Sequence, residues 1–520
     1  MNPLRPAMVY LIGAGPGDPG LITVRGAELI GRADAILYDG LANESLLDYA
    51  SHQAEKICVG KHGHGGMWGQ SQIDDEVVRL AKMGKSVARL KGGDTAIFAR
   101  TAEEVDRLID EGIPYEIVPG ITAALAASAF AGIPITHRDW SSAVALITGR
   151  LQPADGSEEA EESLDWNALA KFPGTLVLYM GVTTAAHWSN KLIEAGKPAT
   201  TPVAMVRRCS WPDQQVIRCD LGAVATTIAS MPGLRPPMIS IVGEVIQMAK
   251  AMDWFTTRPC FGKRIWVTSP EHTAKILGPK FAEQGADVIR MPVMTIAPPT
   301  DWGPVDSMFQ TLDQTDWIVF SSVVGVEVFF SRLRALGKDG RCLHRCKLAA
   351  VGPGTAAAIA KESMHCDMVP QVAGADSLAE LLVHQCEGKR FLFVRNPDGE
   401  TSAMDRLTRA GAEVETMNLY FQHPVSSLSA EWLSRLESGE IYAITATSKN
   451  IASHTVALLG ERSRSQKWLS LSPAITARLH DLGCVNVETA REPSLDAMVE
   501  LAHAHPLTLP RGGSGRARGG

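Results

Sequence analysis

A short apolar run at residue 9 leads directly into a turn rich in glycine and proline. Residues 9–12, Val-Tyr-Leu-Ile, have the composition of a buried strand. The turn, residues 13–19, reads Gly-Ala-Gly-Pro-Gly-Asp-Pro, and apolar positions at helical spacing continue through residues 21–30. Glycine allows φ above zero and close approach of a ligand, while proline stiffens the backbone. Strand, glycine turn and helix in this order predict an α/β domain with a nucleotide-type ligand site at the turn.

A dinucleotide-binding fingerprint is the first alternative for this turn. The fingerprint G-x-G-x-x-G needs a third glycine three residues after the second, but Asp18 occupies that position. A second glycine cluster, residues 92–94, follows another strand-like run at residues 86–90. Two glycine turns at strand ends indicate one ligand held by backbone from two sides of a cleft. An NAD(P) oxidoreductase is therefore disfavoured.

Length and composition limit the class of protein. A chain of 520 residues predicts two or three domains, and a hydrophobic fraction of 45% provides for a large core. The net charge of −7 argues against general nucleic-acid binding. The nine cysteines show no C-x-x-C pair and no metal-ligand spacing, which is typical of reduced thiols in the cytoplasm. No run approaches the roughly 18 apolar residues of a membrane span, so we expect a cytoplasmic protein with no metal, nucleic-acid or membrane partner.

Two candidate polar features follow the early strands. Asp39 ends the strand-like run 34–39, and α/β sheets place their ligands at the carboxyl ends of strands. Residues 60–66 form a basic, glycine-rich loop that contains Lys61 and two histidines. A third metal ligand is missing nearby in the sequence, so we interpret this segment as a flexible loop over a site.

A charged pair and a third turn complete the candidate features of this half. Arg100 and Glu103 lie three apart on one face of a predicted helix, either as a solvated ion pair or as a pair that faces substrate. Residues 115–123 repeat the strand-and-turn pattern, and small residues at 123–131 predict a tightly packed helix. The first half therefore brings three turns to the ends of three predicted strands.

A second α/β pattern begins after residue 262. Its strand-like runs end in hydroxyl side chains or glycine, which are good positions for anions at helix N-termini, although ordinary N-capping explains any single one. This half has no metal motif, no nucleophile elbow and no paired-carboxylate signature. The runs are residues 263–269, 317–322, 348–356, 391–394 and 441–448.

The motifs of the first half occur together in one order and spacing. They are residues 13–19, 38–39, 90–94, 118–123 and 132–139. In this combination the chain resembles the S-adenosylmethionine-dependent uroporphyrinogen-III C-methyltransferases of the tetrapyrrole methylase fold, over residues 8–248. The resemblance implies a two-lobed domain that methylates uroporphyrinogen III at C2 and C7, giving precorrin-2 for the sirohaem or cobalamin branch.

The resemblance also implies roles for individual residues. Asp39 and Lys61 match the family's proton acceptor and donor, while Arg100 and Glu103 match positions that hold the tetrapyrrole and promote deprotonation. Arg138 is expected to contact the substrate, whose eight carboxylates require cations in the cleft. The S-adenosylmethionine pocket would be lined by Pro16, Gly92, Gly93, Asp94, Ile97, Thr122, Ala123, Met180 and Cys209.

The chain departs from the family pattern at two places. The family reads Gly-Gly-Asp-Pro and then Phe-Gly-Arg-Gly-Gly-Glu-Glu, where this chain has one threonine for the proline and three other residues for the glycines. Cys209 stands where the family's Glu-Asn-Gly-Thr has a glycine at a cofactor contact. Backbone freedom is expected to be lost at the glycine positions, with methyl transfer retained. A methyltransferase acting on another tetrapyrrole, such as a later corrin intermediate, stays open. The first set of replacements is Thr95, Ala99, Thr101 and Ala102.

The second half resembles uroporphyrinogen-III synthase. The features that carry the likeness are the turn at Ser322, residues 351–356, residues 411–420 and residues 472–483. The resemblance implies two α/β lobes joined by a two-strand linker, which cyclise hydroxymethylbilane with inversion of ring D and without a cofactor. Ser269 replaces an arginine common in the family, so a non-catalytic tetrapyrrole-binding module stays open as an alternative.

Residue roles in this half are likewise implied by the resemblance. Tyr420 matches the family's best catalytic candidate, and its hydroxyl would assist departure of the substrate hydroxyl. Four hydroxyl side chains would contact substrate carboxylates, namely Ser322, Thr355, Ser448 and Thr476.

We predict a bifunctional enzyme whose second half makes the substrate of the first. A homodimer through the methyltransferase domain is expected from the family. Residues 155–162 are acidic and predict a solvated loop. The predicted organisation is a methyltransferase domain at 1–252, a linker at 253–262, a synthase domain at 263–507 and a disordered tail at 508–520.

Overall fold

The computed structural model describes residues 7–51, 53–60, 68–149, 164–372, 374–397, 399 and 401–503. Lys61, the acidic segment 155–162 and the tail 508–520 lie outside these residues. The described chain divides into two units. The first contains the described residues up to Lys263 together with Gln284–Asp287, and the second contains those of Arg264–Glu283 and Val288–His505.

The first lobe of the first unit is a five-stranded parallel sheet with helices on its faces. The strands are β1 (Val9–Gly13), β2 (Ala35–Tyr38), β3 (Glu55–Cys58), β4 (Val87–Lys91) and β5 (Tyr115–Val118), and the helices are α1 (Val24–Arg32), α2 (Gln70–Lys82) and α3 (Thr101–Asp110). The strand order is β3-β2-β4-β1-β5. β1 and β4 are buried along their whole length, as expected for strands covered on both faces. The turns that follow β1, β4 and β5 therefore lie side by side at one edge.

The second lobe is a mixed sheet on which a helix of small residues packs. Its order is β6-β7-β10-β8-β9, with β6 and β7 parallel and the other pairs antiparallel. Alanines of α4 pack closely against Val177, Val206 and Ile241 because they have no long side chains to hold the helix away from the sheet. The elements are α4 (Ala123–Ala131), β6 (Val144–Thr148), α5 (Trp166–Ala170), β7 (Thr175–Tyr179), α6 (Ala185–Glu194), β8 (Pro202–Arg207), β9 (Gln215–Asp220), α7 (Val224–Ala229) and β10 (Met238–Val242).

The segment 253–262, predicted as a linker, packs on the first unit. Trp254 donates its indole N–H to the carbonyl of Ala129 at 2.9 Å, and the Phe255 ring lies 4.8 Å from that of Phe130. These aromatic side chains bury apolar surface on the end of α4, which holds the segment to this unit.

The second unit contains two parallel sheets connected by two antiparallel strands. The first sheet has the order β12-β11-β19-β20-β21, the second β15-β14-β16-β17, and β13 pairs with β18 between them. The strands are β11 (Arg264–Val267), β12 (Asp287–Arg290), β13 (Met294–Ala297), β14 (Trp317–Phe320), β15 (Lys347–Ala350), β16 (Arg390–Arg395), β17 (Glu413–Asn418), β18 (Phe421–Pro424), β19 (Ala443–Ala446), β20 (Lys467–Ser470) and β21 (Asn486–Thr489).

Helices cover the faces of both sheets, and several begin at a serine that caps them. Ser322 and Ser448 accept hydrogen bonds from Gly325 N–H and Ile451 N–H, respectively. The helices are α8 (Glu271–Glu283), α9 (Gly303–Gln310), α10 (Val323–Ala335), α11 (Pro353–Lys361), α12 (Ala375–Leu382), α13 (Ser402–Arg409), α14 (Ala430–Glu437), α15 (Lys449–Leu459), α16 (Pro473–Asp481) and α17 (Leu495–Leu501).

The predicted fold class is confirmed. Each unit is a two-lobed α/β structure, and the two-strand linker expected in the second half is the β13–β18 pair. Strand β3 was not predicted, because its exposed and half-buried residues give a weak strand signal. None of the helices in the described residues is long and apolar enough to cross a membrane.

Candidate functional site

The glycine turns after β1 and β4 bond directly to each other. Gly15 N–H donates to the Gly93 carbonyl at 3.1 Å, and Gly93 N–H donates to the Gly15 carbonyl at 2.7 Å. Both glycines have positive φ, +74° and +77°, which a side chain would disfavour. The two turns predicted to hold one ligand therefore form one continuous backbone surface.

The third turn, after β5, is tied to this surface by Asp94. One oxygen of the Asp94 carboxylate accepts from Gly120 N–H at 2.8 Å, and the other accepts from Ala96 N–H at 2.8 Å. Gly13 and Gly120 touch backbone to backbone, since a Cβ added at Gly13 would lie 2.5 Å from Gly120 N. Asp94 therefore connects the second turn to the third, while the backbone bonds of Gly15 and Gly93 connect the first turn to the second.

Asp39 holds the same edge of the sheet from the other side. Its Oδ2 accepts from Gly92 N–H at 3.1 Å, and its Oδ1 accepts from Leu41 N–H and Ala42 N–H, each at 3.0 Å. The carboxylate is half-buried and fixed at the carboxyl end of β2. This geometry positions Asp39 beside the glycine turn, as expected from the sequence.

Tyr179 joins the second lobe to the site, although the sequence alone did not single it out. Its hydroxyl lies 2.5 Å from the Thr122 hydroxyl and accepts from Ala124 N–H at 3.1 Å. Burial raises the pKa of this hydroxyl, and its ring lies 5.0 Å from that of Phe98. The only signal for Tyr179 in the sequence was its place directly before Met180.

Backbone strain is concentrated around these residues. Of the six non-glycine residues with positive φ in the described chain, five belong to the turns and loops of this unit that carry candidate site residues. Such conformations cost about 1–3 kcal/mol each and persist where the surrounding structure enforces them. The five are Phe98, Arg100, Met180, Arg208 and Ser210, with φ from +47° to +66°.

The same angles show where the left-handed positions lie. Ala99, Thr101, Ala102 and Cys209 replace family glycines, yet none of them has positive φ; the left-handed positions are their neighbours. The replacements therefore cause no left-handed strain at their own positions, although each restricts the backbone more than a glycine would. The Thr101 hydroxyl instead donates to the carbonyl of Thr95.

Charged groups occur both on the surface and inside this lobe. Arg100 and Glu103 form an ion pair at 2.5 Å with side chains 57% and 53% exposed, and the arginine holds the pKa of Glu103 below its usual range. Lys91, at the end of β4, lies 2.5 Å from Glu104, and Arg89 approaches the same carboxylate at 3.6 Å. All three side chains are buried, and burial lowers the pKa of Lys91.

The second unit brings Tyr420 and Ser322 together. Their oxygens are 2.8 Å apart, and the Ser322 oxygen also caps α10. Burial raises the pKa of Tyr420, while Ser322 and the positive charge of Arg395 act against that rise. Thr355 is buried in the first turn of α11 in the same lobe. The predicted catalytic tyrosine thus bonds to one hydroxyl side chain and packs within the apolar core of this lobe.

The other lobe of this unit carries the remaining predicted hydroxyls. Ser448 caps α15 directly after β19, and Thr476 lies 2.6 Å from the Thr489 hydroxyl. Ser269, at the position of the family arginine, is fully buried and pairs with Thr447 at 2.8 Å. These side chains gather at the carboxyl ends of adjacent strands.

Comparison with known proteins assigns both halves. Residues 8–225 match the family of tetrapyrrole (corrin/porphyrin) methylases, and residues 277–500 match uroporphyrinogen-III synthase HemD. A porphyrin biosynthesis protein HemD from Ruminiclostridium josui is 30% identical over 95% of this chain and 97% of that protein. The chain belongs to the family of fused tetrapyrrole methylases and uroporphyrinogen-III synthases.

Two further relatives match part of the chain. A uroporphyrinogen-III C-methyltransferase from Bacillus subtilis is 35% identical over 67% of this chain and 70% of that protein. The crystal structure of a uroporphyrin-III C-methyltransferase from Thermus thermophilus, complexed with S-adenyl homocysteine, is 36% identical and covers 46% of this chain and 99% of that one, with a TM-score of 0.39.

Most of the predicted residues of the methylase half lie on the joined turns and on the loops beside them. The Arg138 side chain is 88% exposed, and Arg100, Glu103 and Met180 are also exposed. In the synthase half, Ser322 and Tyr420 are in contact, whereas Ser448 and Thr476 belong to the other lobe. Among the described residues, no group of three or more His, Cys, Asp or Glu side chains is placed to hold a metal. The roles of the individual residues remain predictions.

Proposed function

We propose that the synthase half cyclises hydroxymethylbilane to uroporphyrinogen III and that the methylase half methylates this product at C2 and C7 to precorrin-2. The observation that carries the proposal is the likeness of almost the entire chain to a porphyrin biosynthesis protein. The methylase and synthase families then assign consecutive steps of one synthesis to one chain.

The methylase half fits S-adenosylmethionine as methyl donor. Beside Gly93 there is room, because the nearest atom to an added Cβ, apart from its chain neighbours, is Ala123 N at 3.9 Å. Ala123 begins α4, so its N–H is one that a helix leaves without an acceptor of its own. When bound, the cofactor supplies the methyl group. Pro16, Gly92, Gly93, Asp94, Ile97, Thr122, Ala123, Met180 and Cys209 would hold it.

The residues of this half contribute mainly by positioning. Methyl transfer is an in-line displacement, for which alignment of the two reactants supplies much of the rate. The hydrogen bonds of Asp94 fix the turns, and Asp39 lies beside them as the proposed proton acceptor. Arg100 carries an accessible positive charge for the substrate carboxylates, with Glu103 at its side.

The synthase half supplies a protonated hydroxyl at a defined place. A phenol is protonated at neutral pH, and burial raises the pKa of Tyr420 further, so its hydroxyl can donate to the departing hydroxyl of the substrate. Ser322 orients this phenol through the 2.8 Å contact. Hydroxyl groups at helix N-termini in both lobes are suited to bind the substrate carboxylates.

The proposal is tested by supplying the full chain with hydroxymethylbilane, with and without S-adenosylmethionine, and by identifying products by mass and isomer analysis. We expect uroporphyrinogen III without the methyl donor and a dimethylated product with it. A sample without enzyme gives the isomer distribution of uncatalysed closure. Tyr420→Phe and Asp94→Asn assign each product to one half.

Each alternative gives a different result. Methylation of supplied uroporphyrinogen III without ring closure would make the second half a binding module. Ring closure without methylation would assign the first half another tetrapyrrole substrate. A homodimer through the methylase half and a cytoplasmic location are also part of the proposal, and light scattering and cell fractionation test them.

A further inference from the structure

The loop between β8 and β9 contacts the first glycine turn, and Cys209 is its one predicted cofactor residue. This loop, residues 208–214, belongs to the second lobe of the methylase half, whereas the turn belongs to the first. Trp211 donates its indole N–H to the carbonyl of Pro16 at 3.1 Å, and Asp18 N–H donates to the Ser210 hydroxyl at 3.0 Å. Two hydrogen bonds therefore connect the lobes at the predicted cofactor turn.

The indole ring of Trp211 packs directly against the first glycine turn at Gly17. A Cβ added at Gly17 would lie 2.0 Å from the indole nitrogen of Trp211, so the ring occupies the space that any other residue at position 17 would need. Trp211 is half-buried and therefore keeps one side towards solvent. Contact with the indole ring therefore requires a glycine at position 17.

The loop is held rigidly in this arrangement. The Arg208 guanidinium lies 4.2 Å above the Trp211 ring and donates to Asp213 at 2.8 Å. Gln214 accepts from Ser210 N–H at 3.0 Å and donates to the Phe130 carbonyl at 2.9 Å. Arg208 and Ser210 both have positive φ, so their contacts offset a backbone cost.

The loop also contacts the opposite side of the predicted cofactor cleft. The Cys209 thiol lies 3.7 Å from the carbonyl of Ala123, at the start of α4. Pro16, Ala123 and Cys209 are all predicted cofactor residues, and the loop contains or contacts each of them. Its contacts fix how far the first turn stands from the first residues of α4.

We infer that Trp211 is a positioning residue for the methyl donor, which holds the glycine turn at Pro16 in the cofactor-binding geometry through its indole N–H and ring. This inference rests on the proposed function of the methylase half. A site formed in advance loses less free energy on ordering when its ligand binds. Loss of the indole should therefore weaken cofactor binding more than it slows the chemical step.

The test uses the full chain and S-adenosylhomocysteine as the probe, with affinity measured by calorimetry. Trp211→Phe keeps an aromatic ring but removes the donor, and we expect its Kd to rise about three- to ten-fold. Trp211→Ala should raise the Kd further, and Ser210→Ala should raise it less than either. In methylation assays the KM for S-adenosylmethionine should rise with little change in kcat.

Trp254→Phe is the matched control. Trp254 also donates to a backbone carbonyl, of Ala129 at 2.9 Å, and Arg258 also lies over its ring, at 4.6 Å. It contacts the end of α4 rather than the glycine turn, so its variant should bind the probe like the wild type. Ring closure by the synthase half of the same chain, together with the unfolding midpoint, reports whether each variant folds.

Two failures are distinguishable. Wild-type Kd and KM in folded Trp211→Phe overturn the inference and leave the proposed function standing. A wild-type chain that does not bind S-adenosylhomocysteine overturns the proposed methyl donor, whatever the variants do. Equal weakening in Trp211→Phe and Trp254→Phe also overturns the inference, because the effect would then be general loss of packing.

Discussion

The two halves of the chain form their candidate sites from different parts of the polypeptide. In the methylase half the site consists mainly of backbone, with glycine turns bonded to one another and held by the carboxylates of Asp39 and Asp94. In the synthase half it consists of side-chain hydroxyls, with Tyr420 against Ser322 and further serines at helix N-termini. The first arrangement depends on the backbone and on the few side chains that hold it, whereas the second depends on each hydroxyl.

The interiors differ in the same way. The methylase half buries Arg89, Lys91 and Glu104 together behind the second glycine turn. At the corresponding strand ends of one synthase lobe, the structure buries neutral hydroxyls such as Thr268 and Ser269. A buried charge that has lost its hydration is stable only if its partner is present. The methylase half should therefore lose much stability when an interior charge is removed and little when a surface charge is removed.

The largest effect on stability is expected for Lys91→Met. The substitution removes the nearer of the two cations beside buried Glu104 and leaves Arg89 at 3.6 Å, which costs up to about 3–5 kcal/mol in the free energy of unfolding. Lys82→Met is the control, because the Lys82–Glu111 pair is exposed at the lysine and should cost under about 1 kcal/mol. Urea unfolding of the first unit measures both. Equal losses of stability in Lys91→Met and Lys82→Met would contradict the expectation that interior charges matter more than surface charges.

The contribution of Lys91 to the free energy of unfolding is predicted to depend on pH. Burial lowers the pKa of Lys91 in the folded state below its usual 10.5. At pH values between the lowered pKa and 10.5, the folded state therefore binds fewer protons than the unfolded state. The free energy of unfolding of the wild type, relative to Lys91→Met, therefore rises with pH through this window. Unfolding at several alkaline pH values measures the slope, and a falling difference would contradict the assignment.

The next effect is expected for Tyr420→Phe. Loss of a general acid slows a reaction by about 10²–10⁴-fold, so ring closure should fall by that factor while methylation of supplied uroporphyrinogen III stays unchanged. Tyr442→Phe is the matched control, since that hydroxyl accepts from Lys467 at 3.0 Å away from Ser322. Wild-type ring closure in Tyr420→Phe would show that the hydroxyl cluster has no catalytic part.

A smaller effect is expected for Asp94→Asn. An asparagine has one acceptor oxygen where the aspartate uses two, so either Gly120 N–H or Ala96 N–H loses its partner. We expect the Kd for S-adenosylhomocysteine to rise about 10- to 100-fold. Asp301→Asn, which changes a comparable bond to Gly303 N–H at 2.8 Å on an exposed turn, should leave it unchanged. Unaltered binding in Asp94→Asn would contradict a backbone-built site.

The smallest effect is expected for Cys209→Gly, which restores the family residue. Cys209 does not have positive φ, and burial raises the pKa of its thiol to about 12, so it stays neutral beside the Ala123 carbonyl. We expect a change of less than about three-fold in the Kd for S-adenosylhomocysteine, with a modest loss of stability from the vacated volume. A ten-fold change would show that the Cys209 side chain also matters in the methylase site.

Much of the fold was readable from local patterns. Helix α4 begins and ends where its run of small residues does, and β14 coincides with its apolar run, because burial on both faces demands unbroken hydrophobicity. β3 was missed because half of its residues face solvent. The sequence predicts a linker at 253–262, and the contacts of its aromatic side chains with α4 are not visible in any local pattern.

The amino-acid sequence alone predicts the three glycine turns, their strands, the family of each half and most of the candidate residues. These follow from short-range patterns, in which each residue constrains its immediate neighbours. The folded structure was needed to show that Tyr179 contacts Thr122, that Asp94 connects the second and third turns, and that Trp211 contacts Pro16 across 195 residues of chain. Such contacts join residues that are far apart in the chain and depend on how the two lobes pack. A local pattern of residues does not specify which distant residue becomes the partner.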